Sequence, residues 1–461
     1  MNIFNDTIVS RITPEGRSSV GIIRISGKLV YKVILIVLKK NKLPVRKACY
    51  LSFFDIFGKI IDQGISLWFP KPYSFTGEDV LELQGHGNPV IIDLIISTIL
   101  SISGIRLANP GEFSERAFLN GKIDLVQAES VSDLINATSE QAVRASLRSL
   151  QGMFSVYIND LVKKFVNLRT KIETQINFSE EDINFNYEKN KIDYEINKII
   201  NNIKDIQNIA VKGNVIREGI RVVISGDPNS GKSSLLNALS FNDRAIVTHV
   251  PGTTRDVIYE NIIINGILFI LIDTAGLRST KDFVEKIGIE RAWKEIYSAE
   301  HILFVIDGSL SDFDQCKSYN TFINSVSNIS HITIVFSKLD LNEFKSISSI
   351  KNSKYKILSV SSKTGLGIEE LRQHLYVSTK KLNDTVDSSE GVILARRRHL
   401  NILFLILDKM IEGKKTWIEM CNFELLAEDL RLCQNYLGEI TGKNTSDQLL
   451  SDIFSKFCIG K

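Results

Sequence analysis

The densest chemistry in the sequence lies in one block. Arg221–Ser225 (RVVIS) is the kind of apolar run that forms a buried strand. It opens into Gly226-Asp227-Pro228-Asn229-Ser230-Gly231-Lys232-Ser233, then Ser234 and an apolar helical stretch, Leu235–Leu239. Strand, GxxxxGK[ST] and helix in that order form a phosphate-binding loop. The glycines let consecutive amides aim at phosphate oxygens, and the helix N-terminus adds a favourable dipole. Lys232 would reach the β- and γ-phosphates, and Ser233 would ligate magnesium.

Further segments fall where a nucleotide switch needs them. Ile270–Ile272 leads into Asp273-Thr274-Ala275-Gly276, a carboxylate for the magnesium shell and a glycine amide for the γ-phosphate. Upstream, Gly252-Thr253-Thr254-Arg255-Asp256 supplies a threonine, Thr254, able to complete that shell. Ile332–Phe336 leads into Ser337-Lys338-Leu339-Asp340. Asp340 would accept two hydrogen bonds from the imino and amino groups of guanine while Lys338 packs over the ring. Adenine lacks that donor pair, so the implied base is guanine. Ser361-Ser362-Lys363, after the next strand, would contact the guanine carbonyl through its backbone.

Two departures matter. The base-reading motif begins with Ser337 where Asn is usual, which keeps a hydroxyl and loses an amide. Leu277 stands where Ras-like proteins carry glutamine, and leucine cannot orient an attacking water. Arg278, Asp282 and Glu285 are the polar groups that follow, and the residues alone do not choose among them.

These motifs need a scaffold. The chain has 461 residues, enough for about three domains. Hydrophobic residues make up 44% and charged residues 24%, which supports buried cores and excludes a disordered chain. Lys plus Arg (56) against Asp plus Glu (53) leaves +3, which excludes a polycationic protein but not a local basic patch. The five cysteines show no close pair, which argues against a zinc site or disulfide framework and fits a reducing cytoplasm. No secretory signal is evident, and the most apolar stretches, Leu29–Leu38 and Pro89–Leu100, are too short to span a bilayer. A soluble, cytoplasmic, multidomain protein is expected.

Val20–Ser26, Lys47–Phe57 and Ile60–Phe69 read as strands, and Pro89–Ser101 as a helix apolar nearly all round and therefore buried. From Ser114 to about Val211 long helices are expected, with a break near Phe178–Phe185. Gly219–Leu375 alternates strand and helix, and Asn265-Gly266 marks one tight hairpin. Val392–Met410, Phe423–Leu437 and Thr445–Phe457 read as helices. An α/β domain inserted into a helical one is the economical arrangement.

The whole chain resembles one family, the bacterial tRNA-modification GTPases MnmE (TrmE). The resemblance rests on DTIV (Asp6–Val9), Gly16–Gly27, SFTGEDVLELQGHGNP (Ser74–Pro89) and PGEFSERAFLNGKIDLVQAE (Pro110–Glu129). The phosphate-binding loop, PGTTRD (Pro251–Asp256), DTAGLR (Asp273–Arg278), Ile287–Trp293, Ala395–His399 and the final Phe457–Lys461 continue it. It implies a multidomain α/β plus all-α protein. Residues 1–120 form an N-terminal α/β folate-binding and dimerisation domain, and 121–216 and 381–461 a helical domain. Residues 217–380 form an inserted Ras-like P-loop GTPase domain with a mostly parallel sheet.

The resemblance also implies cofactors and partners. They are GTP, Mg2+, K+ and a formyl-tetrahydrofolate-type folate, a homodimer, tRNA, and a heterotetramer with the FAD- and NADH-dependent MnmG. Together these add an aminomethyl-type group at carbon 5 of the wobble uridine. By position, potassium falls to Asn229, Thr248, Val250 and Thr253, with His249 and Pro251 in the same GTP-binding loop. The water-orienting glutamate falls on Glu285, and folate falls to Arg24, Glu82, Lys122 and Lys461.

Other residues keep open readings. Arg396-Arg397-Arg398-His399 suits a tRNA backbone or a salt-bridged helix start equally well. Cys458 matches the family terminus and has an inert reading beside a reactive one. His86 lacks metal-ligand company, and Glu112, Glu115 and Arg116 most simply cap a helix after Pro110. The competing function is a regulatory RNA-binding GTPase of ribosome assembly; the folate-like N-terminal block speaks against it, since no KH-type loop is present.

Overall fold

The computed structural model describes residues 6–177, 185–240, 258–273, 293–297, 299–326, 331–341, 354–383, 393–457 and 460. The chain divides into two compact units: Met1–Ile135, Ser149–Ile203 and Ile402–Lys461 in one, Asn136–Arg148 and Lys204–Asn401 in the other.

The first unit carries β1 (Thr7–Arg11), β2 (Ser18–Ser26), β3 (Cys49–Phe54), β4 (Ile60–Phe69), β5 (Val80–Gly87) and β6 (Ile105–Leu107), in the order β3-β4-β5-β2-β1-β6. All neighbours are antiparallel except β1 and β6. Helices α1 (Val30–Val37) and α2 (Pro89–Leu100) cover one face through Val33, Ile34, Ile92, Ile95 and Ile99, packed on Ile23, Ile25, Leu81 and Leu83. Asn88 starts α2 by accepting the Val90 N–H at 2.9 Å, with Pro89 in the first turn. The expectation of a helix buried all round is corrected here. Val90 and Leu94 are 65% and 52% exposed, because a single sheet lies against only one side of α2. Helix α3 (Glu112–Leu119) packs Phe113 on Ile8 and Ala108.

The helices that follow are α4 (Leu125–Asn136), α5 (Glu140–Leu150), α6 (Met153–Asn177) and α7 (Phe185–Glu218). The break expected near Phe178–Phe185 falls on residues 178–184, outside those described. On α6, Phe154, Ile158, Leu161, Phe165, Leu168 and Ile172 are buried at alternating steps of four and three. Three further helices are α11 (Arg397–Met420), α12 (Phe423–Thr441) and α13 (Asp447–Phe454). On α12, Leu426, Leu430, Cys433, Leu437 and Ile440 repeat the α6 spacing, and the two stripes pack together, with Arg169 donating to Gln434 at 2.7 Å. Helix α13 joins Leu125 and Ala128 of α4 through Leu450, Ile453 and Phe454. The approach is close at Gly111 (φ +69), where a Cβ would run into the Phe454 carbonyl.

In the second unit, β7 (Ile220–Gly226), β8 (Ile258–Ile264), β9 (Ile267–Asp273), β10 (His301–Asp307), β11 (Ile332–Ser337) and β12 (Lys356–Ser359) follow the order β12-β11-β10-β7-β9-β8. All pairs are parallel except the β8–β9 hairpin, which turns on Asn265 (φ +49) and Gly266 (φ +81). Helices α8 (Lys232–Ser240), α9 (Asp312–Ser325) and α10 (Ile368–Asn383) lie between these strands and after them. Separate cores on the two faces, one around Val222 and Leu235 and one around Val223 and Phe304, explain why these strands read as continuous apolar runs. Among the described residues, no helix is long and apolar enough to cross a membrane.

Candidate functional site

The sheet order reverses at β7, and the carboxyl end of such a strand is where an open α/β sheet receives a ligand. β7 ends in Gly226, whose φ of +150 lets the chain turn under the Val305 carbonyl, where any Cβ would collide. Asn229 (φ +62) and Gly231 (φ +93) complete the curl into α8. Lys232 is buried and donates to the Asp227 carbonyl at 2.6 Å, which holds its ammonium inside the loop. Ser233 Oγ donates to Asp273 Oδ2 at 2.8 Å, so β9 delivers its carboxylate to the first turn of α8. Hydroxyl and carboxylate are hard oxygen donors, and this pair fits a magnesium ion. No group of three or more His, Cys, Asp or Glu side chains able to hold a metal exists among the described residues.

The turns after β11 and β12 stand beside the phosphate loop. Ser337 Oγ donates to the Ser230 carbonyl at 2.6 Å, so the residue replacing Asn still braces the phosphate-binding loop. Lys338, at φ +63, pairs with Asp307. Burial pushes the Asp307 carboxyl up, but hydrogen bonds from Lys338 and Ser309 outweigh it and hold it below its ordinary value. Ser361 Oγ donates to Asp340 Oδ1 at 2.6 Å, and that bond holds the Asp340 carboxyl below its usual value. One Asp340 oxygen is thus fixed, and the carboxylate is oriented. Ser362 and Lys363 follow in the same turn, where the Thr364 N–H bonds to Ser361 Oγ at 3.1 Å.

The expected contributions of Thr248, His249, Val250, Pro251, Gly252, Thr253, Thr254, Thr274, Ala275, Gly276 and Glu285 lie outside the described residues.

In the first unit, β2 and β5 pair Arg24 with Glu82 in register, and their side chains meet at 2.9 Å. The Arg24 guanidinium lies 5.6 Å from the Phe75 ring centroid and 5.7 Å from that of Phe113. Lys122 Nζ donates to the Pro72 carbonyl at 3.0 Å, on the loop that carries Phe75. A guanidinium flanked by two rings, with a carboxylate beside it, suits a flat heterocycle bearing amino donors and carboxylates. Lys461 and Cys458 are outside the described residues; Gly460 is buried against Arg11 and Ile12.

The sequence reading of Glu112, Glu115 and Arg116 as a simple helix cap is corrected. Gly111 occupies the cap position with no side-chain bond, although Glu112 does accept the Asn109 N–H at 2.8 Å. Arg116 is fully buried and pairs with Asp6 at 2.9 Å, Glu112 at 2.8 Å and Glu78 at 3.1 Å, while Arg106 bonds Asp6 and Glu112. Burial raises the Glu112 carboxyl, yet the Arg106 hydrogen bonds and its other donors bring it below the ordinary value. Glu115 is pushed up by burial and by the neighbouring Glu112 charge. His86 proves to be held by the buried Asp62 at 2.7 Å, while His399 is buried and accepts the Arg396 N–H at 3.2 Å at the start of α11. Phe75, Phe113, Asp307 and the Arg116 cluster escaped the sequence reading; only the four-residue spacing of Glu112 and Arg116 hinted at one of them.

Residues 7–122 match the family described as GTP-binding protein TrmE N-terminus, and residues 125–458 match the MnmE helical domain. The tRNA modification GTPase MnmE of Buchnera aphidicola subsp. Baizongia pistaciae is 68% identical over 461 residues, covering 100% of both chains. That of Erwinia tasmaniensis is 48% identical over 459 residues, covering 99% of each. Among solved structures, the G domain of the T. maritima FeoB iron transporter matches at 23% identity and TM-score 0.28, covering 35% of this chain and 98% of that one. The full-length identity and both domain matches place the chain in the MnmE family of tRNA modification GTPases.

Proposed function

We propose that this chain is a potassium-stimulated GTP hydrolase that works as a homodimer with the FAD- and NADH-dependent MnmG. On this reading it takes part in folate-dependent addition of an aminomethyl or carboxymethylaminomethyl group at carbon 5 of the wobble uridine of certain tRNAs. The observation that carries the nucleotide half is the Ser233–Asp273 pair at 2.8 Å, on the same sheet edge as an Asp340 already oriented by Ser361. The reading keeps residues 1–120 as the folate and dimerisation domain, 217–380 as the GTPase domain, and 121–216 with 381–461 as the helical domain.

The roles follow from side-chain chemistry. Lys232 sets its charge against the phosphates, and Asp340 accepts the two guanine donors. Ser233 and Thr254 would hold magnesium, with Asp273 behind Ser233; the ion spreads phosphate charge when bound. Asn229, with Thr248, Val250 and Thr253, would hold potassium as a fixed positive charge, and Glu285 would orient the attacking water in place of the glutamine that Leu277 replaces. Arg24, Glu82, Lys122 and Lys461 would bind the folate. The cytoplasm is the corresponding compartment.

The test is GTP turnover by the purified chain in potassium against sodium at equal ionic strength, with ATP as control. Rapid GTP hydrolysis only in potassium is expected. Equal, slow turnover in both salts overturns the potassium mechanism and favours the assembly-factor reading.

A further inference from the structure

The loop between β4 and β5, residues 70–79, carries Phe75, which lies over Arg24, and the Pro72 carbonyl that Lys122 reaches, yet its fixing point lies on its inner side. We propose that Glu78, held by the buried guanidinium of Arg116, is a positioning residue for the one-carbon cofactor site. It sets the loop that presents Phe75 to Arg24 and anchors Lys122. This inference rests on the folate reading above and assigns the device that holds that site in shape.

Arg116 is fully buried and meets carboxylates from three parts of the chain: Asp6 at the entry to β1, Glu112 on its own helix, and Glu78 on the loop. A buried guanidinium keeps its partners because an unpaired charge in the interior is strongly unfavourable. Glu78 is the only one of the three that belongs to the loop. Its carboxylate also accepts the Ser26 hydroxyl at 2.7 Å, and Ser26 Oγ stands 2.7 Å from Thr76 Oγ1, itself fully buried. Asn120 donates to the Thr76 carbonyl at 2.7 Å. The inner side of the loop is therefore tied to β2, α3 and the residues just after α3.

The outer side meets the cofactor-facing groups. Phe75, next to Thr76, lies over the Arg24 guanidinium, and Lys122 reaches the Pro72 carbonyl. A Cβ on Gly77 would meet Asn120 at 3.1 Å and Lys122 at 3.3 Å, so the loop backbone and the Lys122 stem are in close contact. Any slackening at Glu78 moves Phe75 and Lys122 together.

The geometry separates positioning from stability. Replacing Glu78 by Gln removes the loop's charged anchor but leaves Arg116 paired with Asp6 and Glu112. Replacing Asp6 by Asn weakens the same ion cluster without touching the loop.

The experiment measures binding of 5-formyltetrahydrofolate to the full chain by calorimetry, with a thermal melt and hydrogen exchange of residues 71–79 on each variant. Glu78→Gln is expected to raise Kd about tenfold or more and speed loop exchange, while Asp6→Asn lowers Tm and leaves Kd within about twofold. Glu78→Gln binding like wild type overturns the proposal, and so does Asp6→Asn weakening binding equally. Should Glu78→Gln not fold, Thr76→Val removes the hydroxyl link at similar volume; an unchanged Kd there also overturns it. Failure of the wild type itself to bind overturns the folate reading and the proposal with it, and is recognisable because it needs no variant.

Discussion

The phosphate-binding loop of the second unit and the Arg116 cluster of the first both organise charge, by opposite means. The loop is built from eight consecutive residues, Gly226–Ser233, and holds one buried lysine, Lys232, against its own Asp227 carbonyl. The cluster gathers two guanidiniums, Arg106 and Arg116, against three carboxylates, Asp6, Glu78 and Glu112, from positions more than a hundred residues apart in the chain. The loop leaves its positive potential for a ligand. The cluster neutralises its own, and through Glu78 it holds the loop between β4 and β5.

Breaking the cluster should give the largest effect. Arg116→Met takes the guanidinium from Glu78, leaves Asp6 and Glu112 with Arg106 alone, and should destabilise the first unit by about 3–5 kcal/mol, read as a shifted denaturant midpoint. Nucleotide binding by the second unit should persist; its loss would dissolve the contrast. Next, Asp340→Asn places an amide donor against the guanine donors. GTP affinity should fall about 100-fold, and xanthosine triphosphate, whose C2 oxygen accepts, should gain. Equal loss for both nucleotides would contradict the assigned role.

The pH response should separate the units. Burial and the neighbouring His374 and His331 charges hold His301 down to about 3, and Thr333 Oγ1 sits 2.9 Å from both the His301 and His374 rings. His374 is itself lowered by burial and by Lys356, with Glu370 opposing. With its folded value below the unfolded 6.5, His301 costs nothing above pH 6.5 and removes stability as pH falls below it, by about 1 kcal/mol per pH unit. The lowered Asp6 and Glu112 carboxyls act only as pH falls through the carboxylate range, below about 4.5. Acid melts followed by separate probes should show the second unit weakening first, and His301→Gln should flatten that response. The smallest effect is expected for Ser337→Ala, which removes one hydrogen bond to the Ser230 carbonyl and should weaken GTP and GDP alike by about fivefold in Kd.

The same contrast explains what could be read from sequence. The phosphate loop, the Asn265-Gly266 hairpin and the turns after β11 and β12 are legible in sequence because each is local, one strand and its following turn. Arg116 looked like a helix-start residue because Asp6 and Glu78, two of its partners, are remote in sequence and only the sheet brings them together. Helix α2 was misjudged for a related reason: its apolar periphery is plain in sequence, but which side meets a sheet is not. Arg24 with Glu82 followed from the family resemblance, whereas the flanking rings of Phe75 and Phe113 needed the fold.

The most direct test of the account joins the two regions in one product. Nucleosides from the tRNA of a strain lacking this protein would be analysed by mass spectrometry after complementation with wild type, Glu285→Ala or Arg24→Ala. The account predicts that wild type restores the carbon-5 modification of the wobble uridine and that neither variant does. Full restoration by Glu285→Ala would contradict it.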